Sequence, residues 1–193
     1  MPGFGDPKAR MLIVGLAPAA HGANRTGRMF TGDRSGDFLY AGLHRLGFAR
    51  IATSTSIDDG QKLTGAFITA PCRCAPPENK PTPAELANCA PWLDAELSIL
   101  PKLRVVLALG SIGWNAALKA FARRGQVPVI DPGREADGGI AFGHGAEVKL
   151  ANGPVLLGSY HVSQQNTQTG RLTEAMFDAV LTRARSLVNA AGP

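Results

Sequence analysis

The sequence predicts an α/β fold: a three-layer α/β/α sandwich around a central, four-stranded, mainly parallel sheet. Two observations carry that prediction. Short, unbroken apolar runs end in glycine or polar loops, and each loop gives way to a segment with apolar residues at helical spacing. This strand, loop, helix order recurs along the chain with no internal repeat or linker, so one domain spanning residues 1–193 is expected. Such a sheet carries its functional site in the loops at the C-terminal ends of its strands.

The first run, Met11–Val14, opens at Gly15 into a glycine-punctuated loop, Leu16–Arg34, without apolar periodicity. Ser35 is then expected to cap a helix to about Leu46, with Phe38, Leu39, Leu43 and Leu46 along one face. Gly65–Thr69 reads as the second strand and leads into a proline-rich loop. There Thr82-Pro83-Ala84-Glu85 is a capping-box pattern with proline at the first helical position, starting a helix to about Ile99. Arg104–Leu109 is the continuous apolar run of a strand covered on both faces, and Gly110-Ser111 turns it into a helix over Ile112–Phe121. Gly125–Gly153 is glycine-rich, read as a loop or weak hairpin. Pro154–Tyr160 is the fourth strand, His161–Gly170 a polar loop, and Thr173–Val188 the last helix.

Hydrophobic residues make up 45% of the chain, and the mean hydropathy is near zero, which fits a packed globular protein rather than a disordered one. No apolar run approaches the ~20 residues needed to cross a bilayer. The N-terminal MPGFGDPKARMLIVG lacks the layout of a signal peptide, so a cytoplasmic protein without membrane contact is expected. Lys plus Arg (20) exceed Asp plus Glu (15), and the excess falls on loop arginines: Arg25, Arg28, Arg34, Arg73 and Arg171. Forked guanidinium donors suit phosphate, which points towards a polyanionic partner. Three cysteines, Cys72, Cys74 and Cys89, are an odd number that argues against a disulfide framework; three buried free thiols are the simplest expectation.

Several common chemistries are excluded by residue type. Gly22 and Gly27 are followed by Arg28 and Met29, where a P-loop needs Lys and Ser or Thr. The dinucleotide glycine pattern is absent. Gly110-Ser111-Ile112-Gly113 is not a nucleophile elbow, because Leu109 stands where that motif has glycine. Phe30, Asp33, Asn79 and His161 remain, each in or near a strand-following loop. An aromatic face, a carboxylate, an amide and an imidazole suit hydrolysis of an N-glycosidic bond. That reaction needs a stacking surface for an extruded base, a carboxylate for a cationic sugar and water, and a donor for the departing base. Each has a plainer reading as well: Phe30 as core, Asp33 as a helix cap, His161 as an ordinary loop residue.

Gly15–Asp33 (GLAPAAHGANRTGRMFTGD) and His161–Thr173 (HVSQQNTQTGRLT) resemble, in order, the two signature segments of type B, or family 5, uracil-DNA glycosylases. Cys74–Pro83 (CAPPENKPTP), with Cys89 beyond it, is similar to that family's intervening region, so the resemblance spans nearly the whole chain. It implies a parallel four-stranded sheet between helices and excision of uracil from DNA without a lyase intermediate. It implies Phe30 as the stacking aromatic, with main-chain groups of Gly15–Ala19, Gly15 and Ala17 among them, offered to the base. His161 is then the donor to the base carbonyl, and Asn79 a polar residue near the pocket. Leu16 and Ala17 stand where many relatives carry an acid or amide, which leaves Asp33 as the water-positioning carboxylate.

Related family 4 enzymes end the second strand in Asn, whereas here the place is Ala70; a pocket without that reader is expected to accept other deaminated or adducted bases as well. Arg25, Arg28 and Arg171 are expected on phosphates, and Gln164, Gln165 and Asn166 in the duplex where the base leaves. A monomer acting on double- or single-stranded DNA is the accompanying expectation. Family 5 members usually hold a [4Fe–4S] cluster on four cysteines, two of them matching Cys74 and Cys89. The other pair lies in an N-terminal segment this sequence is expected to lack. A non-catalytic binder of uracil-containing or abasic DNA is the alternative, and a hydrolase of free nucleosides a third.

Overall fold

The structure, a computed structural model, describes residues 1–129 and 140–190. In chain order its elements are β1 (Phe4–Gly5), β2 (Met11–Val14), α1 (Ala23–Thr26), α2 (Arg34–Arg45), β3 (Ala66–Thr69) and α3 (Pro83–Ser98). Beyond these lie β4 (Val105–Leu109), α4 (Ser111–Arg123), β5 (Glu147–Lys149), β6 (Val155–Ser159), α5 (Gln164–Gln168) and α6 (Glu174–Asn189). A 3-10 turn, Pro77–Asn79, sits between β3 and α3.

The strands form one sheet in the order β1-β3-β2-β4-β6-β5. The inner four are parallel, as the sequence predicts, and every residue of β2, β3 and β4 is buried. The sheet has six strands rather than four. β1 pairs antiparallel with β3, and β5 antiparallel with β6. Two or three residues are too few to show a period-2 pattern, so both read as loop in sequence. Their effect is to cover both edges of the parallel core with short strands.

Alternation within the apolar runs divides the core in two. Met11, Ile13, Val105 and Leu107 face Leu39, Tyr40 and Leu43 of α2 and Phe177, Leu181 and Ala184 of α6. Leu12, Val14, Val106 and Ala108 face Leu93 and Leu97 of α3 and Trp114, Ala117 and Phe121 of α4. Two glycines allow close layers. A Cβ on Gly42 would meet the Phe177 ring at 2.9 Å, and one on Gly113 would lie 2.7 Å from the Val14 carbonyl.

The capping box is present as read: Thr82 Oγ1 accepts from Glu85 N–H (3.2 Å), and a Glu85 carboxylate oxygen accepts from Thr82 N–H (2.7 Å). The cap of α2 differs. Asp33, not Ser35, occupies that place, its Oδ1 accepting from Gly36 N–H at 2.9 Å. The helix therefore begins one residue before the position expected for its cap. Residues 130–139 of the stretch read as loop or hairpin lie outside the described residues; β5 is formed further along the same stretch.

Replacing Thr82 by Ala removes an N-cap acceptor and is expected to lower stability by about 1 kcal/mol. Urea unfolding checks this: the midpoint falls while the slope stays the same.

Candidate active site

The C-terminal edge of the sheet has a floor with almost no side chains. β2 runs into Gly15, whose N–H donates to the Thr69 carbonyl at 2.8 Å. A Cβ there would stand 2.8 Å from Cζ of Phe30, so only glycine lets that ring lie over the strand end. β4 ends at Gly110, which has a left-handed φ of 88° and donates to the Ser159 carbonyl at 2.8 Å. A Cβ on Gly110 would already touch Cβ of His161 at 3.4 Å. Above this floor the rings of Phe30 and His161 face one another, centroids 6.2 Å apart and planes tilted by 35°. Both are half-buried.

Burial draws the His161 imidazole down to a pKa of about 4, so it is neutral at neutral pH. Its carbonyl accepts from Nδ2 of Asn166 at 2.8 Å, and Leu172 N–H donates to the Asn166 carbonyl at 3.0 Å. Asn166 thus ties the second loop together at His161. Gln164 and Gln165 are exposed on α5.

Phe30 sits on backbone with φ 52°, a left-handed conformation seldom adopted by aromatic residues. Leu16 and Ala17 follow Gly15, and among the described residues their N–H groups donate to no other protein group. Ala17 is half-buried and Ala70, at the end of β3, is buried. Asp33 spends one carboxylate oxygen on the cap of α2. Its Oδ2 lies against Gly22, where a Cβ would collide with it. Asn79 is exposed on the 3-10 turn with φ 56°.

The arginines separate into two kinds. Arg25 and Arg171 are exposed, Arg171 with its guanidinium 4.8 Å above the Tyr160 ring. Arg28, expected on phosphate, is buried instead: its side chain is 3% exposed and paired with Asp59 at 2.6 Å. It cannot reach a DNA backbone without breaking that pair.

The cysteines correct the expectation of three buried thiols. Cys72 is buried, Cys89 half-buried and Cys74 exposed, with Cys72 Sγ donating to the Cys74 carbonyl at 3.4 Å. Burial pushes the Cys72 thiol up, against metal ligation. Among the described residues no three His, Cys, Asp or Glu side chains are arranged to hold a metal ion. The residues present do not fit a four-thiolate [4Fe–4S] site.

Several contributors carried no signal in sequence. His144 accepts the Tyr160 N–H on Nδ1 (3.2 Å) and lies against that ring at 5.0 Å, bracing the strand end just before His161. Tyr40 Oη donates to the Met29 carbonyl beside Phe30, while Ser54 and Asp59, from one separate loop, accept from the Arg28 guanidinium.

The model of the uracil DNA glycosylase superfamily matches residues 2–185. The chain is 52% identical over 187 residues to the type-5 uracil-DNA glycosylase of Thermus thermophilus, covering 97% of this chain and 80% of that one. With the Mycobacterium bovis type-5 enzyme it shares 49% identity over 188 residues, 97% of this chain and 66% of the relative. A type-4 enzyme of Pyrobaculum aerophilum is more distant, at 35% identity over 65% of this chain and 57% of its own.

An imidazole with a folded pKa of about 4, against ~6.5 when unfolded, binds fewer protons folded than unfolded between those values. Its contribution to stability is therefore complete above ~6.5 and disappears as the pH falls towards 4. The His161 ring-proton NMR resonances are expected to stay still from pH 8 to 6 and move only near pH 4. A midpoint near 6.5 would contradict the buried, neutral ring.

Proposed function

The chain belongs to the uracil-DNA glycosylase superfamily, and from that premise we propose that it removes uracil from DNA by hydrolysing the N-glycosidic bond, leaving an abasic site. The observation that carries this reading is the pair of rings, Phe30 and His161, facing each other over the glycine floor of Gly15 and Gly110. A base turned out of the duplex stacks on Phe30, while the main-chain N–H groups after Gly15 meet its polar edge. As the bond from the sugar carbon to nitrogen breaks, its electron pair stays with the base and positive charge gathers on the sugar. Neutral His161 answers by donating a hydrogen bond to the base carbonyl oxygen, where negative charge collects. It need not transfer a proton, and a buried imidazolium would be costly to maintain.

Water then adds to the sugar carbon, and the proton it loses neutralises the departed base anion. Asp33 is the carboxylate we assign to orient that water, through the oxygen the helix cap leaves open. No lysine is given a covalent role, so the reaction ends at the abasic site without strand cleavage. Arg25 and Arg171 hold phosphates, Gln164 and Gln165 enter the space the base vacates, and Asn79, exposed on its turn, is assigned a polar contact to the substrate. One domain, acting as a monomer on double- or single-stranded DNA in the cytoplasm, suffices. Among the described residues no helix is long and apolar enough to cross a membrane. No step passes through an iron–sulfur cluster, and Cys74 and Cys89 have no part in the chemistry.

Replacing Asp33 by Asn keeps a good helix cap but removes the charge. Excision of uracil from a duplex is expected to fall by about 100-fold or more with DNA affinity retained, in the range typical for losing such a catalytic group. A binding protein without activity would show no excision from the start, and an unchanged rate would leave Asp33 as a cap alone. Affinity should fall steeply as salt rises. With Ala70 in place of an amide reader, hypoxanthine and etheno-cytosine are expected to be released too. A lesion panel in which only uracil leaves DNA would defeat that expectation.

A further inference from the structure

Arg28 and Asp59 form an ion pair buried beneath the first loop, away from the reacting groups. Arg28 Nη2 donates to Asp59 Oδ2 and to Ser54 Oγ, both at 2.6 Å, and Nε donates to Thr31 Oγ1 at 3.0 Å. Asp59 is itself fixed, accepting from the N–H groups of Thr55 (2.8 Å) and Gln61 (2.9 Å). From Arg28 the network leads to Phe30 on both sides. Ser54 and Thr31 hydroxyls are 2.7 Å apart, Thr31 Oγ1 donates to the Met29 carbonyl at 3.2 Å, and Tyr40 Oη donates to the same oxygen at 3.2 Å. Gly32 N–H donates to the Ser54 carbonyl at 2.9 Å. Met29, Thr31 and Gly32, the residues flanking Phe30, are thereby all tied to partners brought in from elsewhere in the chain.

Phe30 itself needs such ties. A left-handed backbone at an aromatic residue persists only where its surroundings over-determine it. Its carbonyl is pressed on the start of α2, where a Cβ on Gly36 would collide with it. A buried ion pair is in general a weak source of stability compared with apolar packing, and it is better suited to selecting one conformation.

We propose that Arg28 and Asp59 are positioning residues, which set the stacking ring of Phe30 over Gly15 through Thr31 and the Met29 carbonyl without touching DNA. The proposal rests on the glycosylase reading for its consequence on activity, but not for the geometry it asserts. With the pair broken, the Phe30 backbone relaxes and its ring leaves the position facing His161.

The test is a double-mutant cycle on uracil excision with Asp59→Asn and Phe30→Ala. Base–aromatic stacking is a large term, so Asp59→Asn is expected to cut kcat/KM by about tenfold in the otherwise native protein. On the Phe30→Ala background it should cost less than about twofold, because the ring it positions is gone. Losses that multiply in full would overturn the proposal, as would a folded Asp59→Asn protein with native activity. If Asp59→Asn does not fold, Ser54→Ala, which deletes the single hydroxyl joining Arg28 Nη2 to Thr31 Oγ1, runs the same cycle with the same two outcomes. Arg28→Met should leave the slope of log affinity against log salt unchanged; a slope smaller by about one would make Arg28 a phosphate contact after all. A readout independent of turnover is the His161 ring-proton NMR shift, set by the neighbouring Phe30 ring. It is expected to move in Asp59→Asn and Ser54→Ala, and a native shift in both would end the proposal. A protein that excises no base would sink the glycosylase reading, yet this measurement would still decide the positioning one.

Discussion

Everything at the site depends on how the parallel strands end. β2, β4 and β6 are paired in register, Val14 beside Ala108 and Leu109 beside Ser159, so they finish at nearly one level. That level is where Gly15 and Gly110 begin: at Gly15 the space of a side chain is taken by Phe30, and at Gly110 a φ of 88° favours glycine beside His161. Slip the register and the glycines no longer sit beneath the rings. The register itself is secured by burial on both faces, since a one-residue shift would exchange the faces on which Leu12 and Ile13 pack. The catalytic geometry is thus a consequence of core packing carried to the strand ends.

Electrostatics divides the arginines by depth rather than by sequence position. Arg25 and Arg28 lie three residues apart in one loop, but one faces solvent and the other is sealed against Asp59. The chain's formal charge of +5 therefore overstates what this loop presents to a polyanion. His161 shows the converse case: burial keeps it uncharged, as the proposed reaction requires. On that proposal a neutral donor strengthens its bond as charge develops on the base, without the desolvation cost of a buried cation.

The four inner strands, the long helices and the capping box at Thr82 were legible because each rests on a local rule: an apolar run, a 3.6-residue spacing, a hydroxyl three residues before a glutamate. Phe30 and His161 were legible as residue types in long family-like segments. What the sequence hid is set by tertiary contact. β1 and β5 exist only because a neighbour offers an edge. Asp33 and Ser35 are equally plausible caps until the approach of Gly36 decides between them. Nothing local marks Arg28 as buried, because its partner Asp59 arrives from a separate loop. The thiols likewise differ in exposure through packing that their spacing does not encode.

The strand order β3-β2-β4-β6 has a consequence for how the protein comes into being. During synthesis the Phe30 ring and Gly15 emerge early, in the first strand and loop of the parallel core. The facing imidazole emerges only after β6, the last strand made and the one that joins β4 at the far side. The inner strands β2, β3 and β4 are all made before the two rings can face each other. The two rings therefore come together only once most of the chain has been made, with α6, which packs on the same core, still to follow.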